Sequence, residues 1–246
     1  MEDLKIREKK ITLVDHVENK LFEYISKRKL KVGDTIPNET ELASVLGVSR
    51  SVLREALSRL RMLGVIESRT RRGMILKEPD MFNGLEHVMN PLIISDKTLF
   101  NLLGFRVALE LGICSSIIEN VTSEDIKELE EIVEQSNVNR LNRYTAQSEH
   151  AFHSKLYDIT GNRSIMQFQK IIYPVSKFIR RKFPEYIEPI NEILLKQGKL
   201  ISHMELLDLI KAGNKNDFRE GMEIHFGMYS SLVKIQNDSP EIHNWE

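Results

Sequence analysis

Pro37-Asn38-Glu39-Thr40-Glu41-Leu42-Ala43, followed by Leu46-Gly47-Val48-Ser49-Arg50-Ser51-Val52-Leu53-Arg54-Glu55-Ala56-Leu57, decides how the first third of this 246-residue chain folds. The stretch reads as two short helices joined by a tight turn. Asn38 caps the first helix, whose apolar residues Leu42, Ala43, Val45 and Leu46 form its expected buried face. Gly47 permits the left-handed backbone that ends a helix, and Ser49 caps the next one. Val52, Leu53, Ala56, Leu57 and Leu60 supply the inward face of the second helix, leaving Arg50, Ser51, Arg54 and Ser58 outside. Two arginines one turn apart at the start of such a helix suit the DNA major groove, where a guanidinium bonds guanine O6 and N7 together.

Outward from this pair, residues Ile11 to Leu30 form an expected long amphipathic helix (Leu13, Val14, Val17, Leu21, Phe22, Ile25). On the other side, Leu63 to Ser68 turns β-rich, and a basic, glycine-bearing turn, Arg69-Thr70-Arg71-Arg72-Gly73, leads to Met74-Ile75-Leu76. Two short strands around such a turn make a wing, which lies along phosphates or in a minor groove. A helical hairpin with solvated arginines is the plain alternative; the flanking helix and wing argue against it.

With these residues in order, positions 10 to 77 resemble the winged-helix domain of GntR-type bacterial transcription regulators. The resemblance implies that Arg50, Ser51, Val52, Arg54 and Gly73 touch DNA, with Arg72 beside the glycine. The family often carries an arginine where this chain has Thr40, which implies a different operator.

Charge is divided unevenly. Residues 1–77 hold 17 Lys/Arg against 11 Asp/Glu, while residues 78–246 hold 18 against 25, under a formal net charge of −1. A basic head on an acidic body suits a DNA binder with a separate regulatory domain. The expected organisation is a DNA-binding domain at 1–77, a connection at 78–96 and a helical body at 97–246. The lone Cys114 is expected to be a small core residue in a reducing cytoplasm. No unbroken apolar run approaches the roughly 20 residues of a membrane helix, and the charged N-terminus lacks a signal-peptide core, so a soluble cytoplasmic protein is expected.

The body reads as helices throughout: Met81–Met89, Lys97–Glu119, Ser123–Ser136, Arg143–Thr160, Ser164–Lys182, Ile187–Ala212 and Lys215–Ile235, separated by Pro91, Thr122-Ser123, Gly161-Asn162, Pro184 and Gly213-Asn214. The fold class is mostly α: a winged helix-turn-helix with a small β wing, then an all-α antiparallel bundle.

Three constellations in the body bear on chemistry. Arg106 and Glu110 stand at i and i+4 in a largely apolar helix, where an arginine is costly unless it meets an anion. A structural ion pair between the two is the alternative. Glu149 and His153 share a helical face, with His150 off it, and His203 and His225 come from other helices. Three imidazoles and one carboxylate suit zinc, nickel, manganese or iron. Scattered core and surface histidines give the same composition.

Residues 97–232 resemble the FCD ligand-binding domain of the FadR-like GntR subgroup, through Phe105-Arg106…Leu109-Glu110, Glu149…Phe152-His153…Gly161-Asn162, His203…Leu206-Leu207-Asp208…Ala212-Gly213 and His225. The resemblance implies that Glu149, His153, His203 and His225 ligate a divalent metal, zinc first among the candidates, and that Arg106 meets the carboxylate of a small effector. Glu149 stands where aspartate is usual. The expectation is thus a homodimeric cytoplasmic regulator that reads a palindromic operator and senses a sugar acid or other organic acid. Two other readings stay open on the residues: a metal-dependent enzyme built on the body, and an architectural DNA-binding protein with an inert dimerisation domain.

Overall fold

A computed structural model describes residues 12–69, 73–79, 82, 85–136 and 145–238. The chain divides into two compact units, Met1–Gly84 and Leu85–Glu246. In the first, α1 (Leu13–Lys27), β1 (Thr35–Ile36), α2 (Glu39–Leu46), α3 (Arg50–Met62), β2 (Ile66–Arg69) and β3 (Gly73–Leu76) follow in order.

The expected long first helix is trimmed at both ends. Thr12 and Asp15 form a reciprocal capping box that starts it, and Lys29 takes a positive φ of 51° just beyond its end. Asn38 accepts from the Glu41 amide at 3.0 Å, Gly47 ends α2 in the left-handed region at φ 65°, and Ser49 accepts from the Val52 amide. Leu53, Leu57 and Leu60 of α3 pack against Val17 and Leu21 of α1 and Leu42 of α2. Val45 departs from expectation: it is 79% exposed, because at about 100° per residue Leu42, Leu46 and Ala43 share one arc of α2 and Val45 falls outside it.

The wing strands pair antiparallel, with Ile66 opposite Leu76 and Arg69 opposite Gly73. A third strand was not legible in the sequence. β1, two residues long, joins the other edge of β3 and gives the order β1-β3-β2. Two residues are too few for alternation to register.

The second unit is a helical bundle: α4 (Leu85–Val88), α5 (Asp96–Asn120), α6 (Ser123–Ser136), α7 (Ala146–Ile159), α8 (Arg163–Lys182), α9 (Pro184–Lys196), α10 (His203–Ala212), α11 (Lys215–His225) and α12 (Gly227–Asp238). Helix α5 packs on α7, α8, α11 and α12. By length and composition it could cross a membrane, with a mean hydropathy of 1.4 over its most apolar window, although no unbroken apolar run marks it in the sequence. Here it carries the buried Arg106 and Glu110 through the bundle interior, and Cys114 lies buried on it, bonding the Glu110 carbonyl.

Two expected helices are each split. Ile187–Ala212 breaks into α9 and α10 at Gly198, whose φ of 64° ends one, while Ser202 and Glu205 form a capping box that starts the other. Lys215–Ile235 breaks into α11 and α12 at Phe226. Both breaks sit beside the histidines, making His203 the first residue of α10 and His225 the last of α11. Of the expected helix Met81–Met89 only Leu85–Val88 is helical among the described residues, and the first residues of Arg143–Thr160 lie outside them.

Leu53 is fully enclosed in the first core. Leu53→Ala should therefore lower stability by about 2–5 kcal/mol through lost burial and an unfilled cavity, read as a lower midpoint in urea unfolding of the first unit's signal.

Candidate metal centre and nucleic-acid interface

The bundle brings Glu149, His153, His203 and His225 together: one potential donor atom from each lies within 4.8 Å of all the others. Glu149 and His153 are one turn apart on α7, and the two helix breaks deliver the remaining pair. His153 Nε2 is 3.5 Å from Glu149 Oε1, His203 Nε2 is 3.4 Å from Glu149 Oε2, and the Nε2 atoms of His153 and His225 are 3.2 Å apart. A tetrahedral cation with bonds of about 2.1 Å holds its donors about 3.4 Å apart, so this spacing fits one. Glu149 reaches the cluster despite its extra methylene.

The ring orientations are set from behind. His153 Nδ1 donates to Glu110 Oε2, and His225 Nδ1 donates to the Ile201 carbonyl at 2.8 Å. With both Nδ1 protons held there, two Nε2 lone pairs face each other, an arrangement that calls for a proton or a metal ion between them. Glu110 also accepts from Arg106 Nε at 2.7 Å and from the Tyr157 hydroxyl at 2.8 Å. His150 stands apart, stacked on Tyr173 and bonded to Gln169.

Burial pushes His203 down to about 4 and His225 down to about 3, which keeps both imidazoles neutral, as ligation requires. Burial alone would raise both carboxyls. The facing His153, Arg180 and Arg106, together with the His203 hydrogen bond, nevertheless hold Glu149 well below the usual range, and His153 and Arg106 bring Glu110 to about 2.

Arg106 is 3% exposed and faces this cluster, but all three of its nitrogens are occupied. Besides Glu110, it reaches Glu149 Oε1 at 3.1 Å through Nη2 and Ser176 Oγ at 3.4 Å through Nη1. The rings of Phe226 and Tyr229 lie 5.2 and 5.3 Å from its guanidinium carbon. It therefore makes more than the expected pair with Glu110.

A cavity of about 400 Å³ opens beside the cluster, with Glu149, His225, Arg180 and Tyr229 among its walls; Arg106 lines only a pocket of about 10 Å³ behind it. Arg180 donates to the Tyr229 hydroxyl at 2.8 Å and comes within 3.5 Å of Glu149 Oε2. Sequence reasoning missed Arg180 and Tyr229, and gave Glu110 only a partner in Arg106. Within Arg180-Arg181-Lys182 the first arginine reads as one more cation at a helix C-terminus.

In the first unit, Arg50, Ser51 and Arg54 project from the first turns of α3 and are exposed, whereas Val52 is half-buried against the core. Arg54 Nε is held 2.8 Å from Glu39, which also takes Arg61 Nη2 at 3.2 Å. Gly73 opens β3 with φ 70°, a conformation that favours glycine. Arg72 lies outside the described residues.

The buried histidines give a pH signature. In unfolded chain they bind protons as pH falls below about 6.5, but in the folded bundle only near 4 and 3. Metal-free protein should therefore lose stability as pH drops from 6.5 toward 4, by at most about 1.4 kcal/mol per pH unit for each histidine. Thermal unfolding across this range checks it; a His203→Asn, His225→Asn variant should show a flatter slope.

Two family models match the chain: bacterial regulatory proteins of the gntR family over residues 13–76, and the FCD domain over residues 101–228. The HTH-type transcriptional regulator YcbG of Bacillus subtilis is 28% identical over 222 residues, covering 86% of this chain and 93% of that protein. The Uxu operon regulator of Haemophilus influenzae is 26% identical over 205 residues, covering 82% and 74%. Among solved structures, a Streptococcus agalactiae GntR protein aligns with a TM-score of 0.56 at 23% identity, covering 91% of this chain and all of that one, which shows a shared fold.

Proposed function

We propose, for a chain that belongs to the GntR family of bacterial transcriptional regulators and carries an FCD domain, a metal-dependent sensor of small carboxylates. The chain is a DNA-binding transcriptional regulator and not an enzyme. The mutual spacing of Glu149, His153, His203 and His225, with His153 and His225 anchored through Nδ1, is the observation that carries the reading.

These four residues would hold one divalent ion. Imidazole-rich ligation favours zinc or nickel on intrinsic affinity, with manganese or iron admitted by availability. Held there, such an ion would supply a positive centre beside the cavity for an anionic oxygen. Glu110 fixes the His153 ring, the Ile201 carbonyl fixes His225, and Arg106 holds Glu149 from the side. Because the ligands come from three helices separated in sequence, the site exists only in folded protein, and bound metal should stabilise the bundle.

At the other unit, Arg50 and Arg54 would read base edges or phosphates, with Arg72 and Gly73 on the wing. Two copies related by a twofold axis would match a palindromic operator. An effector alters operator affinity only so far as it binds the DNA-competent and DNA-released states unequally.

Elemental analysis of protein purified without chelator or affinity tag should find about one divalent ion per chain. Added metal should raise the melting temperature, and a His203→Ala, His225→Ala variant should lose both. A metal-free native protein with no thermal response would overturn the reading. Separately, Arg50→Ala should weaken operator binding by about 1–3 kcal/mol per half-site and relax specificity there, measured by fluorescence anisotropy. Unchanged affinity in both Arg50→Ala and Arg54→Ala would remove the recognition helix from the interface.

A further inference from the structure

The 400 Å³ cavity is polarised. One wall is a complete face of α9: Pro184, Ile187, Glu188, Asn191, Glu192 and Leu195 recur at the spacing of a single helical stripe, about 16 Å long at 1.5 Å per residue. Glu188 and Glu192 stand one turn apart on it with Asn191 between them, so this wall offers hydrogen-bond acceptors and negative charge. The same cavity is lined by Arg180, Glu149, His225 and Tyr229. Arg180 and the two glutamates thus line one cavity, with the guanidinium held at Tyr229 and Glu149.

Arg106 is not part of this cavity. Its nitrogens bond Glu110, Glu149 and Ser176, and the two rings beside it close off the remaining approach. Arg180 differs. Its side chain is 25% exposed, Nε and Nη2 both point at the Tyr229 hydroxyl, and Nη1 has no hydrogen-bond partner among the described residues. A guanidinium whose Nη1 is open in a cavity can donate a charge-assisted hydrogen bond to a carboxylate oxygen.

Resting on the sensor reading above, we propose that Arg180, and not Arg106, receives the effector carboxylate. The effector is then a monocarboxylate whose far end carries a hydroxyl or ammonium donor, accepted by Glu188, Asn191 and Glu192. Arg106 is a positioning residue that orients Glu149 and Glu110. A second carboxylate at the far end would meet two like charges, so dicarboxylates of equal length are rejected. Ile187, Leu195 and Met228 cover the aliphatic middle of the ligand.

The test is isothermal titration calorimetry on full-length protein purified without chelator or affinity tag, with hexanoate, 6-hydroxyhexanoate, 6-aminohexanoate and adipate, which share one chain length. The hydroxy or amino acid should bind roughly tenfold or more tighter than adipate, and whichever of the two is tighter identifies the donor. Glu188→Gln combined with Glu192→Gln, both exposed on α9, should narrow the gap by strengthening adipate binding. Arg180→Gln should weaken the whole series roughly tenfold or more while metal content stays at the native level. Adipate binding as tightly as 6-hydroxyhexanoate, unchanged affinity in Arg180→Gln, or no binding by any of the four would overturn the proposal. Elemental analysis of the same samples separates the two readings. Normal metal with any of these contrary results defeats the Arg180 assignment alone, whereas the expected ligand order in protein that holds no metal upholds it and defeats the metal reading.

Discussion

The candidate site depends on one buried carboxylate. Glu110 is fully enclosed, yet it accepts hydrogen bonds from His153 Nδ1, Arg106 Nε and the Tyr157 hydroxyl. A lone carboxylate at that depth would be strongly unfavourable; three donors from α5 and α7 make it tolerable. In return, Glu110 fixes the tautomer and tilt of His153 and neutralises the guanidinium that in turn steers Glu149. Removing its charge would leave Arg106 under-compensated in an apolar interior and release the ring on which the four-donor spacing rests. The apolar composition of α5, sufficient for a membrane helix, is the low-dielectric setting in which these few polar contacts gain their strength.

Much of the fold was legible because its signals are local. Asn38, Gly47 and Ser49 punctuate the helix-turn-helix within a dozen residues, and Gly73 marks the wing. The errors fall where local signals are weak or compete. The two-residue β1 is defined only by its pairing with β3, and the α9–α10 and α11–α12 breaks lie inside runs whose apolar periodicity continues across them. Arg106 stood out as a charge in an apolar helix, whereas the four candidate ligands were picked out of scattered histidines by the resemblance to the FCD domain. The burial that makes Glu110 a shared acceptor, and the cavity that sets Arg180 apart from Arg181 and Lys182, arise only when α5, α7, α8 and α9 are assembled. No spacing within one helix encodes them.

The two units apply the same device to different ends. Glu39 accepts from Arg54 Nε, as Glu110 accepts from Arg106 Nε within the bundle. Solvent sets the difference. Arg54 is 68% exposed, so its ion pair is worth at most about 1 kcal/mol and yields readily to a nucleic-acid partner. Arg106 is enclosed, so its pairs are structural. An arginine paired with a glutamate is common to both, and exposure separates the two settings.

The central claim is that Glu149, His153, His203 and His225 form one metal centre with its imidazoles oriented through Nδ1. X-ray absorption at the metal K-edge of natively loaded protein tests this most directly. The account predicts a first shell of nitrogen and oxygen donors at about 2.0–2.2 Å, with outer-shell scattering from three imidazole rings, one of which is lost in His225→Ala. A metal spectrum without imidazole scattering, or one unchanged in that variant, would contradict it.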